Sequence, residues 1–183
     1  LDLIVWPETA YPLSFNSKEQ LNSTLPYIFS EISRKTNAQI YFGGYDSSLG
    51  DLVSSYQSDF NTAFFTNRNA ELVDLYHKMK LIPFGEGLPF GPLNPFLSKY
   101  LTNISYFSQG DRYTSFKMDN GLTFAPSICY EILFTDFIRD MLNNQTTEAL
   151  FMINLTNDSW YGDTSEPQQH LFLSKWRALE FNL

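Results

Sequence analysis

The 183-residue chain is predicted to fold as an α/β domain, and three observations support that prediction. Short apolar runs typical of buried strands alternate with segments whose apolar residues recur at helical spacing. Hydrophobic residues make up 43% and charged residues 17%, as in globular proteins. A chain of this length can bury a sizeable core in one domain. No run of 18 apolar residues occurs, so the sequence predicts no membrane-spanning helix.

The predicted strands are short apolar or β-branched runs bounded by turn residues. The first, at the start of the chain, opens directly inside an apolar run, which indicates a fragment of a longer protein. Residues 67–70 form a turn that joins two of the strands. The strands are Leu3–Trp6, Ala38–Tyr45, Thr62–Thr66, Leu72–Tyr76, Leu122–Ile128 and Leu150–Leu155.

The predicted helices carry apolar residues at intervals of three and four. They are Lys18–Lys35, which Pro26 is expected to kink, Leu133–Leu142, and Pro167–Phe181 with a proline near its start. On the last helix, Leu171, Ala178 and Leu179 are expected to lie on one side.

One segment, Gly85–Phe107, interrupts this regular order. It holds three Pro, three Gly and several aromatic residues, and it is predicted to be irregular. A loop of this length inside a compact domain indicates a lid, a binding loop or a mobile insertion, and the alternative is a packed surface loop.

The charge and the single cysteine restrict the function. The net charge of −8 argues against nucleic acid or anionic lipid headgroups as electrostatic partners. Cys129 cannot form an intrachain disulfide, because it is the only cysteine. It is therefore either an inert buried thiol or a nucleophile.

Two further segments favour the interpretation of Cys129 as a nucleophile. A reactive thiol needs a base, a cation and a donor aimed at the developing oxyanion. Glu8 follows a strand and Pro7, Lys78 follows another strand, and Tyr130 offers its backbone N–H next to Cys129. Taken singly, the Glu and the Lys could equally be solvated side chains.

The chain also contains histidine, aspartate and aromatic residues that could belong to a site. His77 and His170 could pair with the cysteine, but structural roles are favoured for both. Asp158, Asp163 and His170 match no familiar metal-ligand spacing, so no metal is predicted. Trp160 and Tyr161 are expected to line the cleft.

These segments carry a family resemblance. Trp6-Pro7-Glu8, Tyr76-His77-Lys78, Leu81-Ile82-Pro83-Phe84-Gly85-Glu86 and Cys129-Tyr130-Glu131 resemble motifs of the nitrilase, or carbon-nitrogen hydrolase, superfamily. With Asn157-Asp158-Ser159-Trp160-Tyr161-Gly162-Asp163, Gln169-His170-Leu171 and Arg177-Ala178-Leu179-Glu180, they are most similar to its apolipoprotein N-acyltransferase branch.

The resemblance implies a fold and a set of roles. The expected fold is a nitrilase-like αββα sandwich over residues 1–183, incomplete at both ends and cut from a longer membrane protein. Glu8 resembles the general base, Lys78 the oxyanion-stabilising lysine and Cys129 the nucleophile. Supporting or substrate-binding residues are Glu86, Tyr130, Glu131 and Trp160.

The implied reaction transfers a fatty acyl chain from a phospholipid, through a cysteine thioester, to the N-terminal amine of a diacylglyceryl apolipoprotein. The implied location is the bacterial inner membrane, with this domain in the periplasm, membrane contact through helices outside this chain, and no cofactor. Aromatic residues of the loop are candidates for contact with acyl chains or the bilayer: Phe84, Phe90, Phe96, Tyr100, Tyr106 and Phe107. The alternatives are a soluble amidase with the same three residues and a catalytically inactive binding domain.

Overall fold

A computed structural model describes residues 1–21, 23–47, 59–101, 104–145 and 147–183, and within them two β-sheets pack face to face. The strands are β1 (Leu3–Val5), β2 (Ser14–Phe15), β3 (Gln39–Asp46), β4 (Phe60–Thr66), β5 (Leu72–His77), β6 (Phe116–Lys117), β7 (Thr123–Ile128) and β8 (Phe151–Leu155). The α-helices are α1 (Ser17–Gln20), α2 (Tyr27–Thr36), α3 (Asn94–Leu97), α4 (Thr135–Asn143) and α5 (Glu166–Phe181). Short 3-10 helices cover Gly91–Leu93, Cys129–Leu133 and Asp158–Tyr161.

The strand directions bring several strand ends to one edge. The first sheet has the order β1-β3-β4-β5, with β2 paired to the end of β3. β1 and β3 are parallel, and β4 is antiparallel to both β3 and β5. Strands β1, β3 and β5 therefore end at the edge where β4 begins. The second sheet has the order β6-β7-β8, with β7 and β8 parallel.

The alternation of side chains along each strand builds three layers of core. In β3, Tyr41 faces the second sheet, whereas Ile40 and Phe42 pack with Phe29 of α2. On the far side, Ile138 of α4 packs in a cluster with β7. The core between the sheets contains Tyr41, Ala63, Phe65, Tyr76, Phe116, Met118, Phe124, Ile128, Cys129 and Leu155. The predicted α/β sandwich with outer helices is confirmed.

The prediction of one helix over Lys18–Lys35 is wrong. The chain forms two helices, α1 and α2, and the described residues between them are extended and bridge to the start of β5. Pro26 has a ψ of 153° and precedes α2, and its ring disfavours helical geometry at Leu25. The Leu25 N–H instead donates to the Ala70 carbonyl at 2.8 Å. Pro26 therefore marks the start of a separate helix, α2, instead of kinking one long helix.

Two other regions differ from their predictions. In α5, Leu171 and Leu179 are exposed, and the buried residues are His170 and Arg177. The long loop is not wholly irregular, because it contains α3 and a 3-10 turn, while its residues 102 and 103 lie outside the described chain. Within the described chain, no helix has both the length and the apolar character that crossing a bilayer requires.

Candidate active site

The three predicted catalytic residues lie at one end of the sandwich, each just beyond a strand. Glu8 follows β1, Lys78 follows β5 and Cys129 follows β7. Glu8 and Cys129 line the same cavity of about 250 Å³, and Lys78 Nζ lies 3.5 Å from Glu8 Oε1. Working groups of α/β sheets characteristically lie beyond the carboxyl ends of strands.

Glu8 is held in place by close backbone packing. It is buried, and a Cβ atom added to Gly43 would lie 2.6 Å from the Glu8 Cα, so β3 can approach this turn only with glycine there. The Asn61 amide donates to Glu8 Oε1 at 2.8 Å, and the backbone N–H of Asn157 donates to Oε2 at 3.2 Å. The carboxylate therefore has a fixed orientation before any substrate arrives.

Lys78 is fully buried between two carboxylates. Its Nζ lies 2.8 Å from Glu86 Oε2 and 3.5 Å from Glu8 Oε1. Burial favours the neutral amine, but the charges of Glu8 and Glu86 outweigh it and raise the pKa of Lys78 above its ordinary value. Lys78 therefore stays cationic at neutral pH.

The backbone around Lys78 is equally constrained. Its N–H donates to the Asn61 carbonyl at 2.8 Å, and its carbonyl accepts from the Gly110 N–H at 2.9 Å. A Cβ added to Gly110 would lie 2.3 Å from the His77 oxygen, so only glycine fits this approach. The neighbouring Lys80 is exposed, with its ammonium 5.5 Å from the centre of the Phe137 ring.

Glu86 completes this cluster, as the sequence indicated. Its Oε1 accepts from Asn61 at 2.9 Å, and its Oε2 accepts from the Ile82 N–H at 2.9 Å. Asn61 therefore bridges Glu8 and Glu86 through one amide nitrogen. Asn61 and Asn157 were not predicted as site residues. The available signal was an asparagine inside the fully buried strand β4, where a polar side chain needs a buried partner.

Cys129 has the backbone geometry of a residue held at a sharp turn. Its φ is 49°, a left-handed conformation that is strained for a residue with a side chain. Burial and the Glu8 charge raise the pKa of the thiol to about 12, although Lys78, the Thr156 hydroxyl and the Tyr130 N–H oppose the shift. At neutral pH the thiol is protonated, so it needs a base to become a nucleophile.

Glu131 lies on the buried side of the same turn. Its Oε1 accepts from Tyr76 Oη at 2.8 Å and from the Met79 and Lys80 N–H groups at 2.6 and 3.0 Å. Its Oε2 accepts from the Ile128 N–H at 2.8 Å. Burial raises the pKa of Glu131 to about 7 despite these donors. The carboxyl group thus joins the chain after β5 to the last residue of β7, which fixes Lys78 relative to Cys129.

The two aromatic candidates have different positions. Trp160 and Tyr161 line the cavity that contains Cys129, and Trp160 is 76% exposed at that site. The Tyr130 ring instead packs edge-on against Phe134 and lines a neighbouring cavity of about 400 Å³. Only the backbone N–H of Tyr130 reaches the thiol.

Neither histidine is placed as a base for the thiol. His77 Nε2 lies 2.7 Å from Asp46, and His170 contacts Asp158 at 3.0 Å and the Cys129 carbonyl at 3.2 Å. Ligand atoms of Asp158, Glu166 and His170 lie within 4.8 Å of one another. Asp158 and Glu166 both face His170 Nδ1, at 3.0 and 3.9 Å, and the prediction of no metal remains a prediction.

Comparisons with known proteins agree with this architecture. The sequence profile described as carbon-nitrogen hydrolase matches residues 1–183. The chain is 31% identical over 195 residues to a protein of Bdellovibrio bacteriovorus and 33% identical over 183 residues to one of Vibrio parahaemolyticus, both named apolipoprotein N-acyltransferase. Each alignment covers 98% of this chain but 33% and 34% of the relatives, so the chain spans about a third of their length.

Solved structures share the fold. A carbon-nitrogen hydrolase from Helicobacter pylori G27 superposes with a TM-score of 0.59 at 16% identity, covering 97% of this chain and 57% of that one. A mutant amidase from Nesterenkonia sp. AN1, with a covalent acetamide adduct at its active-site cysteine, gives 0.51 at 18% identity, covering 84% and 47%. At these identities the likeness concerns the fold alone. With the profile match over its full length, this chain belongs to the carbon-nitrogen hydrolase family.

Proposed function

We propose that this chain is the catalytic domain of an apolipoprotein N-acyltransferase. It transfers a fatty acyl chain from a phospholipid to the N-terminal amine of a diacylglyceryl apolipoprotein. The observation that carries the proposal is that Cys129 and Glu8 line one cavity, with the cationic Lys78 buried beside Glu8, in a chain whose curated relatives bear that name.

In the first step, Glu8 takes the proton of the Cys129 thiol, and the sulfur attacks the ester carbonyl of the phospholipid. The resulting oxyanion is stabilised by the Lys78 ammonium and a backbone N–H, which is the electrostatic contribution expected of such donors. The C–O bond then breaks, and the leaving oxygen takes the proton from Glu8. The products are a lysophospholipid and a thioester on Cys129.

In the second step, the lipoprotein amine attacks the thioester and gives its proton to Glu8. The C–S bond breaks, an amide forms, and Glu8 returns the proton to the sulfur. Because the two substrates react in turn with one covalent intermediate, ping-pong kinetics follow. The raised pKa of the thiol explains why a carboxylate base must lie beside it.

The remaining site residues have supporting roles in this proposal. Glu86 keeps Lys78 charged and fixes its direction. Glu131 holds the turn that carries Cys129. Tyr130 contributes its backbone N–H as an oxyanion donor, and Trp160 forms part of the cavity mouth where substrate enters.

The loop after Lys78 is proposed to bind the acyl chain. Its two ends are tied together, since the Ser105 and Phe107 N–H groups donate to the carbonyls of Gly85 and Glu86 at 3.1 and 2.9 Å. The cavity, at about 250 Å³, is smaller than the roughly 300–1,000 Å³ typical of ligand pockets, so a long chain must extend beyond it. Exposed apolar side chains are available on the loop: Phe84, Phe90, Leu93, Phe96 and Tyr100.

Replacing Phe90 and Phe96 together by Ser tests this loop. We expect the KM for phospholipid in vesicles to rise about tenfold, because roughly 1.4 kcal/mol of apolar contact is lost, while kcat changes little. Tyr27→Ser, an exposed aromatic on α2, is the matched control. An unchanged KM for the double variant would show that the loop does not bind the acyl chain.

The proposal places the whole protein at the bacterial inner membrane, with this domain on the periplasmic side. The membrane helices would belong to the parts of the relatives that this chain does not cover, and the domain would be one part of a longer membrane protein. The phospholipid donor and the lipidated acceptor both reside in the bilayer, which fits exposed aromatic side chains near the cavity.

Intact mass spectrometry of the full-length protein, purified from phospholipid membranes, tests the central claim. We expect an acyl adduct on Cys129 that hydroxylamine removes and that Cys129→Ala lacks. The absence of an adduct, together with release of ammonia from small amides, would assign the chain to the soluble-type amidases. Full cellular function of Cys129→Ala would instead indicate an inactive binding domain.

A further inference from the structure

The imidazole of His170 lies directly behind Cys129 and is 4% exposed. Its Nδ1 is 3.0 Å from Asp158 Oδ1, and its Nε2 is 3.2 Å from the Cys129 carbonyl oxygen. Both of these partners are acceptors, so each ring nitrogen faces an oxygen that can accept a hydrogen bond from it. Nε2 also lies 3.2 Å from Asn154 Nδ2, while Asn154 Oδ1 accepts from the Ser127 hydroxyl at 2.6 Å. Turning the amide over would place its oxygen at Nε2 and its nitrogen at the Ser127 hydroxyl, which can accept instead.

A second set of contacts, through Thr156, connects Asp158 and His170 to the sulfur of Cys129. Thr156 Oγ1 lies 2.7 Å from the Asp158 oxygen that His170 also contacts, and 3.4 Å from His170 Nδ1. The Thr156 hydroxyl also lies close enough to the Cys129 thiol to lower the pKa of that thiol. The backbone and the side chain of Cys129 are therefore both connected to the Asp158–His170 pair.

Helix α5 also contacts the other end of the 3-10 helix Cys129–Leu133. Arg177 is buried, and its Nε donates to the Ile132 carbonyl at 3.2 Å. His170 and Arg177 are seven residues apart, about two helical turns, so they share one face of α5. That face contacts both ends of the 3-10 helix Cys129–Leu133, whose first residue has the strained φ of 49°.

We propose that His170, oriented by Asp158, is a positioning residue that fixes the Cys129 carbonyl and, through Thr156, the direction of the nucleophilic sulfur. The inference rests on the proposed role of Cys129 as nucleophile. His170 does not act as the base, because its nitrogens face a carbonyl and a carboxylate instead of the thiol. The bonds from α5 keep the strained backbone at Cys129 in one conformation, in which the sulfur points into the cavity.

Replacing His170 by two different amides tests this role in the full-length protein. In His170→Gln the amide nitrogen can reach the position of Nε2 and keep the bond to the Cys129 carbonyl. In His170→Asn the shorter amide matches only Nδ1, so that bond is lost. The readout is the rate at which iodoacetamide alkylates Cys129 between about pH 6 and about pH 10, followed by mass spectrometry.

We expect His170→Gln to react within about twofold of the wild type and His170→Asn about tenfold more slowly, as for loss of one hydrogen bond near a charge. Because the pKa of the thiol is about 12, above this range, the rate should rise with pH in every variant and the tenfold difference should persist across the range. The other charged groups facing the thiol, Glu8, Lys78 and Tyr161, are the same in every variant. Gln169→Asn, on the exposed side of α5, is the control.

Equal rates for His170→Gln and His170→Asn would overturn the inference. If His170→Asn does not fold, as judged by its thermal unfolding, the pair Thr156→Ser and Thr156→Val decides. Ser keeps the hydroxyl and should match the wild type, Val should react about tenfold more slowly, and equal rates would again overturn it. Alkylation requires neither lipid nor lipoprotein, so the reactivity of Cys129 can still be measured if the acyltransferase proposal fails.

Discussion

Two groups of buried carboxylates lie at the same end of the sandwich, and they are stabilised in different ways. Around Lys78, the carboxylates of Glu8 and Glu86 share one ammonium. Around Glu131, one hydroxyl and three backbone N–H groups supply the hydrogen bonds. The pKa of Lys78 is raised by its carboxylates, whereas burial raises the pKa of Glu131 to about 7.

The comparison indicates that the cluster around Lys78 maintains charge beside the thiol, whereas Glu131 maintains the position of the backbone around it. A cation between carboxylates keeps ionised groups beside the thiol, where a base and an oxyanion partner are needed. A carboxyl group bound by backbone donors joins two strand ends without needing a full charge. Lys78→Met tests the first role, and Glu131→Gln tests the second.

The largest effect is expected from Lys78→Met, which keeps the length of the side chain but removes its charge. The rate of thioester formation on Cys129 should fall about 10²- to 10³-fold, as for loss of an oxyanion donor. The free energy of unfolding should fall by about 3 to 5 kcal/mol, because Glu8 and Glu86 remain buried without their cation. Quenched-flow mass spectrometry and urea unfolding measure the two quantities.

Lys80→Met is the matched control, two residues away on the surface. It should change thioester formation by less than about twofold and the free energy of unfolding by less than about 0.5 kcal/mol. If both variants behaved alike, Lys78 would not be the cation that serves the reaction.

A smaller effect is expected from Glu131→Gln, and it depends on pH. The pKa of Glu131 is raised from an ordinary value of 4.5 to about 7 in the folded protein, so the folded state binds more protons between these limits. The wild type therefore loses about 3 kcal/mol of stability as the pH rises through this window, and it regains it as the pH falls. Gln does not titrate and lacks this dependence.

Urea unfolding of both proteins at several pH values measures that difference. The free energy of unfolding of the wild type minus that of Glu131→Gln should be about 3 kcal/mol greater at pH 4.5 than above pH 7. A difference that stays constant with pH would mean that Glu131 is ionised throughout and acts as a charge, like the carboxylates beside Lys78.

Much of the site could be predicted because its main residues follow recognisable strands. Glu8, Lys78 and Cys129 each come one to three residues after a strand end, and their chemical types are complementary. Asn61 and His170 do not follow strands, and Thr156 follows β8 but has no chemical type that singles it out. The partners of all three depend on which atoms meet across the sheets, and the local sequence indicates only that Asn61, inside β4, needs a buried partner.

The helix predictions fail where tertiary contacts compete with local spacing. Apolar spacing over residues 18–35 favours one helix, but Pro26 breaks it, and the extended segment pairs with residues at the start of β5. In α5 the apolar residues Leu171 and Leu179 are exposed, because the inward face is used by His170 and Arg177. The turn at Cys129 offers acceptors to both buried side chains, and Asp158 and Glu180 supply their other partners.

The sequence by itself determined the layered α/β class, most strand positions and the three chemical groups beyond the strand ends, because apolar periodicity and turn residues act over short distances. Only the tertiary structure decided how these groups are charged and held. Burial sets the pKa of Cys129 and Glu131, and backbone donors distant in sequence, Asn157 for Glu8 and Met79 for Glu131, help to fix these carboxylates. Desolvation and hydrogen bonding depend on neighbours in space, which the order of residues does not specify.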